Sequence, residues 1–292
     1  MMSHNMVLRI ATDGSADMPA RWRSEYQIDV MPLRLNFGDR TFTQGVDLTG
    51  DDFYRLVQQT HQIPQTSLPS PEQVKDFYRS IAKRGETILS IHLASKLSGT
   101  FHAFQLAAQE LVNEYPIHVI DSGAGSAGLG FMCREARRMW QAGLPVEQIL
   151  RRLRSARERL FISFTVDRLD FALMSGRINS MQNAISSILK IKPIIVLRDG
   201  LLEMAEKVRT RRRSLDRMLE VVRERIGQQQ VDLAVVHAAD PSMAEEMLAK
   251  AKQFFNVRDV IVTDLSIPVA AHLGPGTIGI VAYPVSDEEQ GE

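Results

Sequence analysis

The residues of this chain whose types and spacing suit chemistry are hydroxyls, glycines and a few cations set at turns. The densest group is Ser95-Lys96-Leu97-Ser98-Gly99-Thr100. It follows the apolar run Thr87–Leu93, a buried strand by pattern, and precedes apolar residues at helical spacing from Phe101 to Leu111. A strand, a polar turn and a helix start therefore meet here. Gly99 permits close approach of a ligand to the backbone, and free N–H groups at a helix start favour a carboxylate or phosphate. Ser98 or Thr100 can also serve simply as the helix cap, which needs no ligand.

Other candidates are spread along the chain. Asp13 and Ser15 sit in Thr12-Asp13-Gly14-Ser15-Ala16-Asp17, at the carboxyl end of a first strand from Met6 to Ala11. Ligands in open α/β sheets gather at such ends, and a plain turn is the competing account. In Gln65-Thr66-Ser67-Leu68-Pro69-Ser70-Pro71, two prolines make an extended loop, and Ser70 with Gln73 reads as a capping box. Thr66 and Ser67 lie upstream of that cap and stay unassigned. Ser126 belongs to Gly123-Ala124-Gly125-Ser126-Ala127-Gly128, a G-x-G-x-x-G after a strand and before a helix. The acidic residue a dinucleotide site wants about 20 positions later is missing, and a second loose match occurs at Gly274–Gly279. Dinucleotide binding is thus the weakest of the readings. His272, just before Gly274-Pro275-Gly276, is expected on a rigid loop that presents its imidazole. Arg177 lies beside a helix break, and Lys207–Arg213 opens a helix where cations oppose the macrodipole. No P-loop, nucleophile elbow or histidine pair at metal-ligand spacing is found, so neither a metal nor a cofactor is expected.

These sites need an α/β frame. In 292 residues, 35 Lys plus Arg balance 35 Asp plus Glu, which gives no reason to expect nucleic acid as partner. A single cysteine, Cys133, excludes an intramolecular disulfide. The start lacks a signal-peptide core and no run approaches a membrane span, so a cytoplasmic protein is expected. Strands alternate with helices up to about Arg154–Arg159, as in a three-layer α/β/α domain with a mostly parallel sheet. Val30–Phe37 reads as one strand, with Arg40–Thr43 paired across Gly38-Asp39. Beyond the boundary, a hairpin at Asp199-Gly200 mixes with helices at Ser180–Leu189, Arg209–Ile226 and Ser242–Phe254, an α+β pattern. The expected domains are 6–156 and 157–285.

Taken in order, TDGSAD (12–17), TSLPSP (66–71), SKLSGT (95–100), IDSGAGSAGLG (120–130), SGRI (175–178), IKPII (191–195), EKVRTRRR (206–213) and HLGPGTIG (272–279) resemble the DegV family of bacterial fatty-acid-binding proteins. Gly14 stands where that family usually has Ser, and Ser175 where it usually has Gly. The resemblance implies one long-chain fatty acid in a tunnel between two domains. It further implies that Thr66 and Ser98 hold the carboxylate, and that a fatty acid kinase, the ATP-binding partner, converts the acid to an acyl phosphate. Arg177, Arg209 and His272 then match positions near the carboxyl end or the kinase-docking face. On that reading the chain is a carrier and not an enzyme. The competing reading is an α/β enzyme using Ser98, Asp13 and His272 on a small anionic substrate.

Overall fold

The computed structural model describes residues 7–178 and 191–285. Its first sheet is parallel and four-stranded, in the order β2 (Ile28–Met31), β1 (Leu8–Asp13), β6 (Thr87–His92), β7 (Ile117–Asp121). Helices cover both of its faces, so its strands place apolar residues on both sides. Ala11, Met31 and Ile88 pack against Val74 and Tyr78 of α3 (Pro71–Ile81) and Phe104 and Ala107 of α4 (Thr100–Glu110). Leu8, Ile10, Leu89 and Ile91 face the opposite way, toward Ala127 and Phe131 of α5 (Ser126–Gln141). Residues of alternating parity thus bind different helix layers.

The second sheet has six strands in the order β10 (Leu201–Val208), β9 (Lys192–Arg198), β8 (Phe161–Thr165), β13 (Ile278–Pro284), β11 (Gln230–His237), β12 (Asn256–Asp264). Only the β11–β12 pair is parallel; the others are antiparallel. One face is covered by Leu215, Met218 and Val222 of α8 (Arg211–Ile226) and by Ala244 and Met247 of α9 (Pro241–Phe254). The other face shares one continuous apolar core with the first sheet. Residues 156 and 157 lie within the last turn of α6 (Val146–Arg159), the helix that precedes β8.

Helix α5 lies between the sheets and touches β1, β6, β11 and β13. From it, the fully buried Arg134 reaches Glu135 at 2.8 Å, Asp259 at 2.9 Å and Asp232, with the Trp22 and Phe131 rings under its guanidinium. A buried cation of this kind persists only where carboxylates pair it.

Several expectations are corrected by the fold. Val30–Phe37 is not one strand. Pro32, which lacks an N–H, separates β2 from β3 (Arg34–Phe37). Strand β3 joins β4 (Arg40–Thr43) and β5 (Gln65–Ser67) in a small antiparallel sheet, the β3–β4 turn falling at Gly38-Asp39 as expected. The loop of Thr66 and Ser67 is therefore pinned in place as strand β5. Arg209 does not lie in a helix; Thr210 caps α8, which begins at Arg211. His272 is carried by a short helix, α10 (Ile267–Leu273), and not by a loop. The helix expected at 180–189 lies outside the described residues. No helix among the described residues is long and apolar enough to cross a membrane.

Candidate functional site

A cavity of ≈ 390 Å³ opens between the two sheets, a volume typical of small-molecule sites. The parallel sheet brings to it the turns at the carboxyl ends of β1, β6 and β7, which supply Ser15, Leu93, the run Ser95–Thr100, Gly125 and Ser126. The small sheet adds Thr66 and Ser67 of β5, and Leu33 comes from just before β3. The wall facing them is aliphatic and aromatic, with Ile162 and Phe164 of β8, Leu197 of β9, Leu202 of β10 and Val236 of β11. Helix α10 closes one side through Pro268, Val269, His272 and Leu273.

Of the candidate residues, Thr66, Ser67, Ser98, Gly99, Thr100, Ser126, Arg177 and His272 all line this cavity. Two of its loops abut, because Leu68 packs so closely over Gly99 that a Cβ there would lie 2.8 Å from the leucine Cδ1. Thr66 Oγ1 lies 3.0 Å from His272 Nε2. Ser98 Oγ lies 2.9 Å from Thr100 Oγ1 and accepts the Thr100 N–H at 3.3 Å. Gly99 is the N-cap residue of α4 and provides no side-chain bond, so Ser98 helps the helix start while its hydroxyl stays at the cavity.

The electrostatics favour an anion. Lys96 and Arg177 are among the lining residues, and among the described residues no Asp or Glu lines the cavity. Burial, assisted by the nearby Arg177 charge, pushes His272 down to about 4, so its imidazole is neutral at physiological pH. A second cavity of ≈ 230 Å³, smaller and more polar, adjoins the first and shares Thr66, Arg177 and His272 with it. Those three side chains stand between the apolar chamber and the polar one. The Ser175 hydroxyl accepts the Arg177 N–H at 3.3 Å, and the Ser175 carbonyl accepts its guanidinium, which holds the arginine at this position.

Asp13 is not brought to the cavity. Its carboxylate takes Ser15 N at 3.0 Å, Leu93 N at 3.1 Å and His92 Nδ1 at 2.9 Å. Burial alone would raise its pKa, but the bonds from His92, Ser15 and Leu93 outweigh that and hold it below the usual range. His92 Nε2 in turn lies 2.6 Å from Ser90 Oγ. This has the order of a nucleophilic triad. Yet Asp13, His92 and Ser90 are all fully buried, Tyr78 donates to Ser90 Oγ at 3.0 Å, and Phe104 stacks on His92 at 3.6 Å. The network is a strut that fixes Ser15 and Leu93 at the cavity edge. An enzyme built on Ser98, Asp13 and His272 is not favoured, because these three are bonded to different partners. Arg209 likewise does not line the cavity; it is exposed between β10 and α8.

The glycine fingerprint at 123–128 serves packing. Cβ atoms on Gly125 and Gly128 would meet Leu93 Cδ1 at 2.7 Å and Ile162 Cδ1 at 3.0 Å, so these glycines seat α5 against both sheets. The departure at Gly14 is local as well. A Cβ there would lie 1.9 Å from Gln44 Oε1, and that glutamine bonds the Gly14 carbonyl at 2.9 Å. Sequence reasoning missed Lys96 and the apolar wall as cavity residues. The wall's only signal was the apolar runs of β8, β9 and β11, buried along most of their length, which do not say which face is lined.

Comparison with known proteins agrees with this architecture. The model of the DegV family, described as an uncharacterised protein family, matches residues 7–285. A DegV domain-containing protein of Streptomyces coelicolor is 33% identical over 274 residues, 93% of this chain and 96% of that protein. Among solved structures, a DegV lipid binding protein from Thermotoga maritima superposes with a TM-score of 0.87 at 26% identity, covering 96% of this chain and 99% of that one. A Thermus thermophilus DegV family protein, described by its fatty acid binding, gives a TM-score of 0.85 at 28% identity, covering 96% and 100%.

Proposed function

The chain belongs to the DegV family, and from that premise we propose that it binds one long-chain fatty acid and presents the carboxylate to a fatty acid kinase. The observation that carries this reading is the cavity, an apolar chamber with hydroxyls, Lys96 and Arg177 at its polar parts and, among the described residues, no acidic lining residue. The fatty acid binding of the Thermus thermophilus relative supports it. The acyl chain lies along Ile162, Phe164, Leu197, Leu202 and Val236, each buried methylene contributing about 0.8 kcal/mol. Thr66 and Ser98 hold the carboxylate as hydrogen-bond donors, which a buried anion requires. Neutral His272 supports them. With Nε2–H donating to Thr66 Oγ1, the threonine O–H is free to point at the carboxylate.

In this reading residues 6–156 and 157–285 act as two domains closed over the ligand. Catalysis and ATP belong to the partner kinase. Arg177, between the two cavities, faces the reacting end, and exposed Arg209 faces the kinase. A reconstituted assay with a fatty acid kinase and ATP tests the partner role. Arg209→Ala is expected to keep its bound fatty acid while acyl-phosphate formation slows about tenfold; exposed Arg212→Ala is the neighbouring control. Wild-type turnover by Arg209→Ala would remove the assignment.

A further inference from the structure

We infer that Asp17 is a positioning residue of the ligand site, whose carboxylate joins the start of α5 to the start of α10 and thereby sets where His272 stands. The inference rests on the fatty acid reading for its ligand and on geometry for its mechanism. Asp17 is buried and is not itself a lining residue of the cavity. Its Oδ2 accepts from Ser126 Oγ at 2.5 Å, and its Oδ1 accepts from Ser266 N at 2.7 Å. Its backbone N–H also reaches the Ser126 carbonyl at 3.2 Å. One carboxylate thus ties together three segments far apart in sequence: the β1 turn, the α5 start and the α10 start. Ser126 lines the cavity directly, and α10 supplies Pro268, Val269, His272 and Leu273. Helix α10 is then fastened to the first half of the chain at both ends, by Asp17 at its start and by Thr66 at His272.

Charge strengthens both bonds, since hydrogen bonds to an ionised acceptor are shorter and stronger than neutral ones. The charge is also costly where it sits. Burial pushes Asp17 up to about 6, against the opposing effect of the Ser126 and Ser266 bonds, and Asp264 raises it further. Its titratable surroundings are Tyr54 of α2 (Gly50–Thr60) and Asp264 at the end of β12, with His237 of β11 beside Asp264 at 3.2 Å. No cation among these pairs directly with Asp17. The ionised form therefore holds α10 most firmly while costing stability, and the proton that relieves the cost near pH 6 weakens the tie.

Asp17→Asn separates these effects. The amide keeps the shape, and its Oδ1 accepts from Ser266 N while its Nδ2 donates to Ser126 Oγ, so both bonds survive in neutral form. Two readouts are taken from pH 5 to 8 on the full chain. They are the NMR signals of the His272 ring without ligand, and the dissociation constant for hexadecanoate. In the wild type the His272 signals are expected to shift with a midpoint near 6. At pH 7.5, Asp17→Asn should bind hexadecanoate about tenfold more weakly yet melt at a higher temperature, and near pH 5 the two proteins should converge. The protonation of the fatty acid itself is common to both and cancels in the ratio. A ratio that stays constant across the range, or wild-type His272 signals with no step near 6, overturns the inference. The wild-type step needs no variant, so misfolding of Asp17→Asn would not shield the proposal. A wild type that shows the step but binds no hexadecanoate would sink the fatty acid reading and leave the positioning role standing.

Discussion

Thr66 and Ser98 each combine a structural bond with a place at the cavity, and the two roles can be separated. Thr66→Val keeps the β-branched shape that strand β5 favours, and within the chain Ser98→Ala gives up only the side-chain bonds to Thr100. Losing a hydrogen bond to a charged group costs about 1.5–3 kcal/mol, so each change is expected to weaken fatty acid binding by about one to two decades. Loss of the helix-start bond alone would instead lower stability by about 1 kcal/mol and leave affinity in place. Titration and thermal melts on the same samples tell these apart. His272 carries a pH signature. Its pKa is pushed down to about 4, so the folded chain resists protonating it. Its stabilising contribution is whole above pH 6.5 and is lost as pH falls toward 4. Asp17 has the opposite sign, because a raised carboxyl pKa gives stability that is present below 3.8 and lost as pH rises through about 6. The two offset each other in the wild type between roughly pH 4 and 6. His272→Gln removes one side of that balance. Between pH 7 and 5 its melting temperature is expected to rise relative to wild type, by the equivalent of roughly 1–2 kcal/mol. Parallel melting curves would show that His272 does not titrate as assigned.

At the scale of elements, the seating of α5 decides how closely the sheets approach each other across the cavity. Gly130 lies against the Asp17 carbonyl, where an added Cβ would sit 2.4 Å from the oxygen. Backbone cannot yield as a side-chain tip does, so Gly130→Ala is expected to destabilise by about 1–3 kcal/mol. Gly125→Ala, whose Cβ would meet only the far end of Leu93, should cost less than 1 kcal/mol and is the natural companion. Equal chemical-denaturation midpoints for the two would show that α5 has room to shift. Capping was the most legible feature of the elements. Thr49, Ser70 and Asp240 each accept the N–H of the third residue in their helices, and all lie where hydroxyls or carboxylates precede apolar periodicity. The break at Pro32 was legible in principle from the missing N–H, but the apolar run around it concealed the change of sheet. Helix α10 is short and almost wholly apolar, so it has no amphipathic stripe to reveal it.

At the scale of the molecule, the cavity exists because β8–β13 and the parallel sheet share one apolar core while their strand-end turns remain polar. Local pattern reached the hydroxyls of this site but not their convergence, since Thr66 meets His272 across 206 residues of chain. The ordered resemblance of eight short motifs supplied what spacing could not. It did not expose the Asp13–His92–Ser90 strut, which places a histidine of unremarked sequence context at the centre of a buried network. Nor did it show that Arg134 fastens α5 to β11 and β12 through Asp232 and Asp259. The central claim is that the cavity holds one long-chain fatty acid. Burial of about 14 methylenes would contribute on the order of 10 kcal/mol, enough for the ligand to survive purification. Native mass spectrometry of the purified chain, followed by lipid extraction, is the most direct test. The account predicts a mass increment matching one fatty acid per chain, recovered as free acid in the extract. A chain that carries none, and takes up none when long-chain fatty acid is added, would contradict it.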